Sequence, residues 1–124
     1  MYITTHEVSI TTDADGAGSG HTPAVNGRIL SIAYVKPAQG GFSNGVDFDI
    51  YTENSKVEIW DQDSVDATAS VMPRAATHST AGVAAEYADG YAVNDFIYVG
   101  NERIEITVAG GGSGGVGTFY VMVG

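Results

Sequence analysis

The residues of this chain able to do chemistry are mostly acids. Asp47, Asp49 and Glu58 fall in two adjacent segments of alternating polarity. If those segments pair as strands, their acids share one face, and facing carboxylates are the apparatus of glycoside hydrolysis. Trp60 and Tyr51 stand close by as candidate sugar platforms, or equally as aromatic packing at an interface. Asp61, Asp63 and Asp66 put three more carboxylates within six residues. Calcium takes about six to eight oxygen ligands, but no glycine sits where a tight binding loop needs one, and solvated acids at a strand end fit as well. Asp13, Asp15 and Gly16 resemble a fragment of a calcium loop without its later ligands.

The histidines offer less. His6, His21 and His78 are far apart, and no two have a zinc-type spacing. His78 and Ser79 could join a distant aspartate in a hydrolase, yet there is no Gly-x-Ser-x-Gly elbow. A nucleophile beside its own base along the chain also has poor geometry. The glycine tract Gly110–Gly117 precedes no helical pattern and no Lys-Ser/Thr pair, so it reads as a mobile hairpin loop rather than a phosphate cradle. No catalytic residue, cofactor or metal is expected.

What must position these residues is a set of strands. Val46, Phe48 and Ile50 alternate with Asp47, Asp49 and Tyr51, the period of a half-buried strand. Glu53-Asn54-Ser55 supplies turn chemistry before Lys56–Gln62 alternates again, which makes a hairpin. Further strands are expected at Tyr2–Thr12, Arg28–Lys36, Asp66–Met72, Asp95–Gly100, Arg103–Ala109 and Val116–Val123. Asp13–Gly20 reads as a flexible loop and Thr22–Gly27 as a turn region. Arg74–Asn94 reads as a long functional loop in which Val83–Ala88 has the pattern of one helical turn. About eight strands predict one all-β domain over residues 1–124, an antiparallel β-sandwich of jelly-roll type, with an immunoglobulin-like sandwich as the alternative.

Composition narrows the function classes. Fifteen acids against five basic residues give a net charge of −10, which repels a phosphate backbone and argues against nucleic acid as a partner. There are no cysteines, hence no disulfides or thiolate metal sites. The start lacks the pattern of a signal peptide and no run is long enough to span a membrane, so a complete soluble product made in a cytoplasm, without a membrane partner, is expected. Ile29–Val35 and Phe96–Val99 are apolar on both faces, more than one small sandwich must bury, which points to a subunit interface.

Asn26–Val35, Gly45–Tyr51, Met72–Gly82, Val93–Ile97 and Gly117–Val121, taken together, resemble small structural proteins of tailed bacteriophages. The nearest idea is a capsid decoration, or cement, protein. The resemblance implies a compact β-sandwich in the virion that forms a homo-oligomer, a trimer, and binds the major capsid protein from outside. It implies no catalytic residue. Within such a protein Arg74, Tyr87 and Tyr91 are the expected partner-binding residues, a guanidinium and two amphipathic rings carried on the longest irregular stretch. A carbohydrate-binding jelly-roll module of a fibre or lectin is the alternative function.

Overall fold

The computed structural model describes residues 2–124, which form strands and connections with no helix among them. The strands are β1 (Thr4–Thr11), β2 (Gly18–His21), β3 (Val25–Val35), β4 (Val46–Thr52), β5 (Glu58–Val65), β6 (Ala69–Val71), β7 (Arg74–Ala76), β8 (Asn94–Glu102), β9 (Ile104–Ala109) and β10 (Val116–Val123). One sheet runs β1-β10-β3-β8-β7, with β6 also on β3; the other runs β2-β9-β4-β5. Every pairing is antiparallel: β1 with β10, β2 with β9, β3 with β8 and β4 with β5. These four pairs describe one long hairpin, closed at the β4–β5 turn and wrapped until β10 meets β3 and β9 meets β4. That is the jelly roll, with β6 and β7 inserted between its fifth and sixth strands.

Alternation builds the core. Phe48 of β4 and Trp60 of β5 face Tyr34 of β3 and Phe119 of β10 across the sandwich. Phe48 lies 5.2 Å from each of Tyr34 and Phe119 and 4.9 Å from Trp60, centroid to centroid. Edge and tilted contacts of this kind add to the gain from burial itself. Ile29, Ile32, Ile50, Ile104, Ile106 and Val121 complete the interior at 0 % exposure.

Four expectations change. The Asp13–Gly20 segment is not all loop, because β2 begins at Gly18. A Cβ on Gly18 would stand 2.7 Å from Ile10 and one on Gly20 2.8 Å from Val8. The strand therefore turns glycines inward beneath β1 and carries no apolar signal. The glycine tract is not a hairpin loop, since β9 and β10 belong to different sheets. It is bonded throughout: Gly111 N–H donates to Gly16 O, Ser43 N–H to Gly111 O, and Val116 N–H to Gly40 O. At Gly117 a Cβ would lie 2.3 Å from the buried Phe42 ring, so close approach explains that glycine.

The two-sided apolar runs do not bury both of their faces within the sandwich. In β3 the register slips between Met122 and Val123, which leaves Leu30 as an extra residue and lets Ile29 and Ile32 point the same way. In β8, Ile97 and Val99 point inward while Tyr98 is 63 % exposed. Finally, Val83–Ala88 forms no helical turn.

Candidate functional site: an acidic face and an exposed arm

The outer face of the second sheet carries the acids. Asp49 lies opposite Asp61 across the β4–β5 pair, and Tyr51 lies opposite Glu58. Ile59 is the extra residue of a bulge between Ile50 and Tyr51, so Ile59 and Trp60 are both buried and Glu58 turns outward beside Asp49. Carboxylate oxygens of Asp49, Glu58 and Asp61 all come within 4.8 Å of one another. Among the described residues, Asp49 Oδ1 is shut off from water and has no donor while Glu58 is ionised. The Glu58 carboxyl is pushed up to about 7, chiefly by its hydrogen bond with Asp49, then by desolvation and by the charges of Asp49 and Asp61. Two ionised carboxylates have only acceptors to offer each other. A proton held on Glu58 supplies the missing donor and removes one charge.

The cluster can thus be satisfied by a proton, a cation or a guanidinium. For a calcium ion it supplies three of about six to eight oxygens. A shallow depression of about 150 Å³ adjoins it, lined by Asp47, Asp49, Asp61 and Thr107.

The other sequence candidates have structural duties. Asp47 Oδ1 accepts from Ser64 N–H at 2.9 Å, and Asp66 Oδ1 from Gly45 N–H at 2.8 Å. Asp13 Oδ1 accepts from Asp15 and Ala17 N–H, which makes its segment a turn. His21 Nδ1 lies 3.0 Å from Thr22 O, and its Nε2 lies 3.0 Å from Arg103. Ser79 Oγ accepts from Ala81 and Val83 N–H in a tight turn, and among the described residues no carboxylate joins it and His78. Trp60 packs inside at 8 % exposure and offers no open face. Lys56 Nζ covers the Tyr51 ring at 5.1 Å.

Residues 74–94 form an arm that reading the sequence missed as structure. It leaves along β7, turns at Ser79–Gly82, returns, turns again at Tyr87–Gly90 and rejoins β8. Its three legs meet where Thr77 N–H donates to Val93 O, Ala85 N–H to Thr77 O and Val93 N–H to Ala85 O. Gly82 and Gly90 have φ of 76° and 87°, the left-handed values such turns need. The spacing of the matching turns, Ser79-x-x-Gly82 and Tyr87-x-x-Gly90, was the available signal. From Arg74 to Asn94 no residue is buried. Val83, Tyr87 and Tyr91 are 65 %, 61 % and 73 % exposed. Arg74 stands apart from them at the root, where its guanidinium lies 4.0 Å from the Phe96 ring centroid.

No protein-family model matches the chain, and no curated protein is significantly similar to it. Among solved structures it is similar to FLHE at 9 % identity and a TM-score of 0.47, over 99 % of this chain and 98 % of that one. It is also similar to the family 32 carbohydrate-binding module of C. perfringens NanJ, solved in complex with galactose, at 16 % identity and a TM-score of 0.39, over 97 % of this chain and 93 % of that one.

Proposed function

We propose that the chain is a virion structural protein, a decoration module that attaches to the outside of a phage capsid through its 74–94 arm. The observation that supports this most is the arm itself: hydrogen-bonded, yet without one buried side chain. Small isolated hairpins are marginal in water, because few apolar contacts offset the entropy of ordering them. An arm of this kind gains its packing from a partner. Tyr87 and Tyr91 present large rings at its second turn, the residue type that dominates binding energy once desolvated. The carbohydrate-binding alternative is less well served, since Trp60 is turned inward and Tyr51 lies under Lys56.

Cosedimentation with genome-free phage capsids tests the proposal. The protein should pellet saturably, and Tyr87→Ala with Tyr91→Ala should weaken binding by about tenfold or more, from the ~1–4 kcal/mol an anchor contributes. Unchanged pelleting of the double variant would rule the arm out as the contact.

A further inference from the structure

The sandwich is closed along one side and open along the other. On the closed side β1 packs against β2. On the open side lie β5, the last strand of the second sheet, and β6, which pairs with β3 alone. Among the described residues no strand covers the outer edge of either. The link Asp66–Thr68 crosses between them from one sheet to the other. Together the three pieces border a groove of about 500 Å³, within the ~300–1,000 Å³ of ligand sites.

The end of this groove at the link is pinned. Lys36 N–H donates to Thr68 Oγ1 at 3.1 Å, Lys36 Nζ to Asp66 O at 3.1 Å, and Gly45 N–H to Asp66 Oδ1 at 2.8 Å. A fixed end lowers the ordering cost of binding. Buried Trp60 and Val65, with half-buried Ala69 and Val71, give the groove an apolar lining. The Trp60 indole N–H already donates to Gln62 Oε1 at 3.3 Å. What remains unmet is backbone, the outward N–H and C=O groups of an edge strand.

We propose that the groove takes an extended, basic segment of a partner protein, which adds to the second sheet as a strand beside β5. Strand addition meets backbone groups with backbone groups, and the alternation of β5 dictates the side chains. Trp60, Gln62 and Ser64 line the groove, so the inward positions of the added strand are apolar. Asp61 and Asp63 hold the alternate, exposed positions, so its outward positions are lysine or arginine. The same acids repel the β5 edge of a second copy. Nor does this chain carry a fitting segment. The nearest two of its five basic residues are Arg28 and Lys36, too far apart to meet Asp61 and Asp63 together. The occupant thus comes from another protein, and the inference holds whether or not the arm binds a capsid.

A capped peptide of about seven residues, valine alternating with lysine, tests it; at ~3.3 Å per residue it is long enough to follow β5. Trp60 is the only tryptophan and lines the groove, so its emission reports binding. At low salt the peptide should shift that emission saturably and slow the hydrogen exchange of β5 amides. Glutamate in place of its lysines, or methylation of its backbone nitrogens, should weaken binding by about tenfold or more. Asp61→Asn with Asp63→Asn, both exposed and outside the core, should do the same, as should ~0.5 M salt. No saturable change up to millimolar peptide would overturn the proposal. So would binding that tolerates backbone methylation or protects amides elsewhere than in β5, since that is contact through charge alone. A protein that without peptide has a mass above one chain and protected β5 amides would place a second copy in the groove, and would overturn it too.

Discussion

Glu58→Gln removes a carboxyl that the folded protein prefers to keep protonated, and its effect depends on pH with a definite sign. The folded-state value of about 7 lies above the 4.5 of an ordinary glutamate. Between these values the folded chain binds the proton and the unfolded chain does not, so stability falls as pH rises from the lower through the upper. The whole displacement would correspond to ~3 kcal/mol at ~1.4 kcal/mol per unit. Glu58 is exposed, however, and solvent screening reduces that to about 1 kcal/mol. Glutamine cannot ionise and its amide can donate to Asp49. Near pH 8 the variant should therefore melt about 4 °C higher than the unmodified protein, a gap that closes toward pH 4.5. Trp60 is the only tryptophan and is buried, so its fluorescence follows unfolding directly. A gap that is the same at both pH values, or a variant less stable at pH 8, would refute the shared-proton account.

Other expectations follow from single contacts. Gly117→Ala should cost about 1–3 kcal/mol by denaturant unfolding, because its Cβ would meet the Phe42 ring at 2.3 Å in a packed interior. Tyr34→Phe should leave stability unchanged or raise it by about 1 kcal/mol, since among the described residues the buried Tyr34 hydroxyl has no hydrogen-bond partner; a clear loss would reveal one. Glu102 accepts from Asn54 and Ser55 N–H at 2.6 Å and from Ser55 Oγ at 2.8 Å, and the Ser55 bonds hold its carboxyl below the usual range. Its contribution is present above the unfolded-state value and is lost as pH falls through the folded one, so Glu102→Gln should flatten the acid limb of the melting profile.

Much of the fold was legible because alternation leaves a strong trace. β4, β9 and β10 carry apolar residues every second position, and each lies close to its sequence-derived bounds, whereas in β5 the bulge sets Ile59 beside Trp60 and the strand runs on to Val65. About eight strands were expected where the described residues form ten, and the membership differs. β2 was invisible because its inward positions are glycines, and Asp66–Met72 yields only the short β6. Sheet assignment was the harder problem. Residues 110–117 look like a hairpin loop locally, and only the wrapping of the paired strands shows that they cross between sheets.

The acidic site was half visible. Strand pairing brings Asp49 and Glu58 together as their spacing suggested, whereas Asp61 joins them and Asp47 and Asp66 turn to bond backbone amides. Bulges decide that sorting, and a bulge leaves no signature in residue type. Residues 74–94 read as a loop, and the order within them left no trace for the opposite reason. Its order comes from backbone bonds and two glycine turns, without the apolar periodicity from which strands are read.

The central claim, that the arm is the surface given to the capsid, is tested most directly by backbone hydrogen exchange on the protein free and capsid-bound. With no side chain of residues 74–94 buried, the amides of the arm should exchange quickly in the free protein, far ahead of those in β3, β4 and β10. On the capsid, the amides of residues 77–93 should become the most strongly protected of all those that change. An arm that exchanges equally fast in both states, while the protein is bound and another surface is protected, would contradict the account.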